Sequence, residues 1–249
     1  MDMNGNGGAS ARNLKQRFGA WLIPRLPCNR HSFNHIRLEL NGIHVRLLHR
    51  LDPRYRIRIH RLRRQCNLLV NIGCGPFGKA GWINLDLFRH PHVTLRADCR
   101  KSLPLADGSC LGIHVEHFLE HLNPTDELRM FLTECQRCLQ PDGILRVIVP
   151  DTEKYVRAYL EPGWGMLNQL SCGGERPEVI FKCKMDVLNH VFHQEWEHYA
   201  GYDAQSLELA LRSAGFTQVI CCEWQKGEFP GGCIDRELHR PYSLYFEAR

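Results

Sequence analysis

Three glycines and an acid open the chemical reading. In Asn67-Leu68-Leu69-Val70-Asn71-Ile72-Gly73-Cys74-Gly75-Pro76-Phe77-Gly78 an apolar β-branched run ends in a glycine cluster; Lys79-Ala80-Gly81-Trp82-Ile83-Asn84-Leu85-Asp86 is a second apolar run ending in a carboxylate. Glycine at such a turn lets a ligand approach bare backbone, and an acid at the next strand end accepts a pair of ribose hydroxyls. This is a nucleoside-binding layout. Further on, Glu116-His117-Phe118-Leu119-Glu120-His121 and Asn189-His190-Val191-Phe192-His193-Gln194-Glu195-Trp196-Glu197-His198-Tyr199 gather carboxylates and imidazoles, groups that move protons or hold metal ions.

The elements around the glycines decide which nucleoside ligand fits. Gly73, Gly75 and Gly78 spell G-x-G-x-x-G, which in dinucleotide folds opens a long helix and precedes an acid about 20 residues on. Here Asp86 follows Gly78 too soon. Pro76 and Gly81 break the segment, so no crossover helix fits and a diphosphate lacks its helix N-terminus.

Val70-Asn71-Ile72-Gly73-Cys74-Gly75 followed by Gly81-Trp82-Ile83-Asn84-Leu85-Asp86 resembles class I S-adenosylmethionine-dependent methyltransferases, in particular a branch with a shortened first helix and this second strand. Glu116-His117-Phe118-Leu119-Glu120-His121-Leu122, Leu139-Gln140-Pro141-Asp142-Gly143-Ile144-Leu145, Ala214-Gly215-Phe216 and Ser243-Leu244-Tyr245-Phe246-Glu247-Ala248 extend the resemblance in order over about the last three quarters of the chain. It implies a Rossmann-like seven-stranded sheet with an antiparallel last strand, and S-adenosylmethionine as cofactor. It further implies that Asn71, Gly73, Cys74 and Gly75 surround the cofactor's amino-acid end, Asp86 its ribose, and Asp98 with the Cys99 amide its adenine. Glu116 and His117 then lie beside the methionine end and the incoming acceptor. His117, His193 and His198 are the candidate general bases. The acceptor expected is an oxygen or nitrogen of a small molecule or glycan. A non-catalytic cofactor-binding protein and a nucleic-acid-modifying enzyme are the alternatives.

At 249 residues, 43% hydrophobic and 24% charged, the chain can bury one α/β core. Neither a signal-peptide pattern nor an apolar run near the roughly 18 residues of a membrane span is present, so a cytoplasmic protein is expected. The twelve cysteines are scattered. Cys66, Cys74, Cys110, Cys221 and Cys222 sit in apolar contexts, where cysteine acts as a small hydrophobe. Cys135-x-x-Cys138 falls in a helical pattern without a second pair, and His190, His193 and His198 do not spell H-E-x-x-H, so no metal site is expected.

The net charge of +5 conceals an asymmetry: residues 1–66 hold fourteen Lys/Arg against Asp2, Glu39 and Asp52, and the remainder is acidic. Residues 1–66 are expected to be a basic N-terminal arm, and 67–249 the catalytic domain. Within the arm, Met1–Arg12 reads as disordered and Asn13–Ile23 as a short helix stopped by Pro24. His35–Leu40 and Ile43–Leu48 read as a hairpin turning at Asn41-Gly42. The arginines of Pro53–Arg64 suit a solvated face. Phe18, Trp21, Leu22 and Ile23 suit peripheral membrane contact, and the absence of aromatic stacking positions among the arginines argues against nucleic acid.

Strands are expected at Val93–Asp98, Leu111–Val115, Ile144–Pro150, Phe216–Trp224 and Ser243–Ala248. Thr125 is expected to cap a helix carrying Leu128, Phe131, Leu132 and Cys135 on its core face, and Asp151 to border the substrate.

Overall fold

A computed structural model describes residues 29–170, 174–194 and 197–249. The expected disorder of Met1–Arg12, the helix at Asn13–Ile23 and its membrane-facing side chains lie outside the described residues, as do Glu195 and Trp196.

The chain divides into two compact units, Met1–Ile43 and His44–Arg249. Helix α2 (Pro53–Leu62), in the larger unit, is started by Asp52, whose side chain accepts the Arg54 N–H at 2.8 Å, with Pro53 in the first turn. Leu62 is buried, Tyr55 and Ile59 pack on the main core, and Arg54, Arg56, Arg58 and Arg61 point to solvent. The arginine density is the outer face of an amphipathic helix.

The expected hairpin at His35–Leu48 is instead part of helix α1 (Arg30–Leu51). Ile36, Leu40, Ile43, Leu47 and Leu51 recur every three or four residues, a helical period that short windows disguise as alternation. Asn41 does not turn the chain; its side chain donates back to the Arg37 carbonyl at 2.8 Å.

The larger unit is built on a seven-stranded sheet in the order β3-β2-β1-β4-β5-β7-β6, with β1 Leu68–Ile72, β2 Ile83–Asp86, β3 Leu95–Arg96, β4 Cys110–Glu116, β5 Leu139–Pro150, β6 Val219–Cys222 and β7 Ser243–Ala248. The first five strands pair in parallel, while β7 lies antiparallel between β5 and β6. Val70, Ile72, Ile113, Val115, Leu145 and Val147 are wholly buried, as strands covered on both faces require. No helix occupies residues 73–82 between β1 and β2, in keeping with the Pro76 and Gly81 breaks.

Helix α3 (Glu127–Cys138) buries Leu128, Phe131, Leu132, Cys135 and Cys138. Its cap is Asp126, which accepts the Glu127 N–H at 2.8 Å, and not Thr125. Asp151 caps helix α4 (Thr152–Leu160) by accepting the Lys154 N–H at 3.3 Å. Then come α5 (Gly165–Gln169), α6 (Pro177–Ile180), α7 (Lys184–His193) and α8 (Ala204–Ser213). Cys74, Cys99, Cys110, Cys135 and Cys138 are buried, but Cys66 and Cys221 are exposed rather than core residues. No described helix is long and apolar enough to cross a membrane.

Candidate active site

The loop after β1 is shaped by hydrogen bonds to the end of β2. Gly73 and Cys74 donate their amides to the Leu85 carbonyl at 2.9 and 3.4 Å, and Gly75 donates to Asp86 Oδ2 at 2.8 Å. Asp86 Oδ1 accepts the Phe88 amide at 2.7 Å. Gly73 sits at φ +66°, where a Cβ would stand 2.8 Å from the Phe118 ring. Gly75, at φ +49°, has nothing within 4 Å of its Cβ position, so backbone is open to a ligand there. Asn71 donates to the Phe77 carbonyl at 3.4 Å, and Asn84 both donates to and accepts from Lys79 at 2.8 Å, bracing the loop. Burial and then the charge of Asp86 push the Cys74 thiol up to about 12, so it stays protonated.

Asp98 lies just beyond β3, buried, with its carboxylate held by two arginines. Arg46 from α1 forms an ion pair with Oδ2, and Arg100 donates to both oxygens at 2.9 and 3.1 Å. His49, one turn along α1, contacts the Arg96 carbonyl at 2.6 Å. Cys99 is buried beside Asp98.

At the carboxyl end of β4 the chain enters a second cluster. Glu116 accepts His239 Nδ1 at 2.9 Å, the Arg236 amide at 3.1 Å and Arg236 Nε at 3.2 Å. Burial raises its pKa, but these donors outweigh burial and hold it below the ordinary glutamate value. The Arg236 guanidinium lies 4.6 Å over the Phe77 ring, joining this cluster to the glycine loop.

His117 has φ +53°, rare for a side chain with a Cβ. Its amide donates to the Ile148 carbonyl at 2.9 Å, its Nε2 contacts Ser243 Oγ at 2.9 Å, and its ring lies 3.8 Å from that of His239. Burial, then neighbouring His239 and Arg236, hold His117 well below the ordinary imidazole value. It is neutral at pH 7.

A cavity of about 580 Å³ opens here, lined among others by His117, Glu120, His121, Tyr155, His198 and Tyr242. Glu120 is buried and pushed up to about 7 by desolvation, against the opposing influence of His121. His198, donating from Nδ1 to the Val191 carbonyl at 2.8 Å, is lowered by burial to about 4. Of the three candidate bases, His117 and His198 thus line one pocket. His193 does not: it is exposed at the end of α7, and His190, three residues earlier, takes the pocket-facing position. Asp151, expected at the substrate, is absent from the lining because its carboxylate serves α4.

Sequence reasoning missed Arg236, His239, Tyr242 and Ser243. The signal was available in the strand direction. Because β7 runs antiparallel to β5, Ser243 pairs with Pro150 and the residues preceding β7 arrive at the carboxyl ends of the parallel strands, where open α/β sheets bind ligands. The same segment is anchored by Arg146, wholly buried, which donates to Asp235 at 2.7 and 2.5 Å and to Glu247 at 2.9 Å.

Residues 82–147 match the family model described as a methyltransferase domain. No curated protein matches the chain. Similar solved structures include a possible histamine N-methyltransferase from Thermotoga maritima (15% identity, 86% of this chain and 98% of that one, TM-score 0.45). Another is the 1,6-didemethyltoxoflavin-N1-methyltransferase of Burkholderia thailandensis with S-adenosylhomocysteine bound (15%, 90% and 92%, 0.44). A third is an S-adenosylmethionine-dependent methyltransferase of Archaeoglobus fulgidus (15%, 78% and 93%, 0.41).

The matched segment runs from β2 into β5 of the mixed sheet with its antiparallel β7, and over that segment the chain is similar to a methyltransferase domain. S-adenosylmethionine or S-adenosylhomocysteine is named for each of these three solved structures. The open backbone at Gly75 and the strand-end Asp86 fit such a ligand.

Proposed function

We propose that the chain transfers the methyl group of S-adenosylmethionine to an oxygen or nitrogen of a small molecule or glycan. The reading rests above all on His117, a neutral imidazole fixed on both sides and opening on a polar cavity at the strand ends. Gly73, Cys74 and Gly75, with Asn71 behind them, hold the cofactor's amino-acid end, and Asp86 holds its ribose. Adenine recognition falls to the backbone at Asp98 and Cys99, since Arg46 and Arg100 occupy the Asp98 carboxylate.

When bound, the cofactor supplies a methyl group on a cationic sulfur, which departs with the electron pair of the broken bond. The acceptor's lone pair forms the new bond to carbon, and its proton passes to His117. Glu116, through His239 and Arg236, keeps the wall of the cavity in place, so that most of the rate comes from positioning. A glycan or small hydroxylated metabolite suits the cavity's size and its mixture of imidazoles, carboxylates and Tyr242. The described cysteines are all free thiols, which suits the cytoplasm.

The experiment is calorimetric titration with S-adenosylmethionine, with nicotinamide dinucleotides as controls, followed by an acceptor screen reading S-adenosylhomocysteine formation. Selective binding and turnover that His117→Asn abolishes support the assignment. Cofactor binding with no turnover across glycans and small hydroxylated or amino compounds would sink it.

A further inference from the structure

We propose that Glu120, His121 and His198 form a binding site for one divalent transition-metal ion of the zinc, cobalt or iron(II) type. Their ligand atoms lie within 4.8 Å of one another, though His198 is 77 residues from His121 in sequence. A metal held at about 2.0–2.2 Å from each ligand draws such atoms to roughly 3–4 Å apart, a small closure for side chains already converged.

The buried carboxylate gives the independent reason. The Glu120 side chain is 1% exposed, and neither of its oxygens has a hydrogen-bond partner; Nδ1 of the neutral His117 ring lies 3.5 Å away. A carboxylate taken out of water is retained at low cost only when something answers its lone pairs. The two histidines are prepared to supply the rest of that answer. His121 Nδ1 donates to the Glu197 carbonyl at 3.0 Å and His198 Nδ1 to the Val191 carbonyl at 2.8 Å. A main-chain carbonyl on Nδ1 fixes the tautomer in which Nε2 carries the free lone pair, the arrangement metal-ligating histidines adopt. The rings stand edge to face, 4.8 Å apart at 75°, so they converge without stacking.

Ligand chemistry selects the ion. Two imidazoles and one carboxylate suit zinc, cobalt or iron(II), whereas magnesium and calcium prefer oxygen-rich sets. Three protein ligands leave a position open, as in catalytic rather than structural sites. All three residues line the cavity of about 580 Å³, so the open position faces the space assigned to the acceptor, and an oxygen of the acceptor is the ligand that completes the coordination. Occupancy by the ion itself does not depend on methyl transfer.

Full-length protein, stripped with a chelator and gel-filtered, is titrated with zinc by calorimetry and with cobalt(II) by visible absorption. One ion per chain is expected, with the absorption of a low-coordinate cobalt site. Glu120→Gln and His121→Asn should each weaken binding at least roughly tenfold, while His193→Ala, altering an exposed histidine outside the cluster, should not. Far-UV circular dichroism establishes that each variant is folded; if Glu120→Gln is not, the more exposed His121→Asn decides. No saturable binding, or binding that survives the folded variants unchanged, would overturn the site. Parallel titration of the stripped protein with S-adenosylmethionine keeps the failure of the metal distinct from the failure of the methyl-transfer reading.

Discussion

Glu116 and His239, 123 positions apart in sequence, are joined by a 2.9 Å hydrogen bond behind the cavity wall that His239 lines. The same carboxylate holds Arg236, whose guanidinium lies over Phe77 of the glycine loop. Glu116 is thus the post on which the wall before β7 hangs. Glu116→Ala should leave the sheet folded yet displace His239 from the His117 ring. Methyl transfer should fall on the order of 100-fold, the scale of an ångström-sized misplacement of a catalytic group. Initial rates at saturating cofactor measure it; an unchanged rate would remove Glu116 from the positioning network.

Asp86 accepts the amides of both Gly75 and Phe88, so it shapes the loop besides offering oxygens to ribose. Asp86→Ala should cost about 1–3 kcal/mol of stability through the two abandoned donors. Cofactor affinity should fall more than roughly tenfold. Calorimetry on folded variant protein separates the effects, and retained affinity would refute the ribose role.

A third expectation concerns acid. Burial raises the Asp235 pKa, but bonds from Arg146 outweigh that and hold it well below the usual carboxylate range. A carboxylate depressed in the folded state contributes stability fully present above its unfolded value of about 3.9 and lost as pH falls toward the folded value. Wild-type stability should therefore drop on acidification below about pH 4, and Asp235→Asn should flatten that part of the profile. At neutral pH the variant should be weaker by about 3–5 kcal/mol, because the buried Arg146, besides the Lys226 and Glu223 carbonyls, keeps Glu247 as its one remaining carboxylate among the described residues. Denaturant melts across pH check both; a variant as acid-sensitive as wild type would dismiss Asp235 as the source.

The ion pair of Arg46 with Asp98 sets a fourth. The Arg46 side chain is 38% exposed, so Arg46→Ala should change stability by less than about 1 kcal/mol. Cofactor binding should be unchanged, since adenine is read by the backbone at Asp98 and Cys99 and Arg100 still holds the carboxylate. Weaker binding in that variant would mean that Arg46 helps to hold the ligand.

These residues also mark where the sequence was readable. The glycine loop, Asp86 and the end of β4 were legible because a parallel sheet presents its ligand at strand ends, and strand-turn-strand patterns are local. The antiparallel β7 was expected from the family resemblance. Arg236 and His239 were not found, because their segment is irregular and its place follows only from how β7 pairs. Helix α1 was misread because its apolar residues alternate over six positions and reveal a helical period only over twenty. Glu120 and His121 were visible as a pair, but His198 reaches them from beyond α7 through tertiary packing.

The placement of β7 between β5 and β6 also orders events on the ribosome. A nascent chain that has emerged only as far as Cys222 already contains the glycine loop, Asp86 and His117. It lacks Arg236, His239 and Ser243, and β5 still has a free edge along the register that Ser243–Ala248 will take. During that interval an apolar strand edge is exposed, and the cavity lacks the wall that Arg236, His239 and Tyr242 supply. Competence for the reaction therefore waits on the strand that fills the slot between β5 and β6.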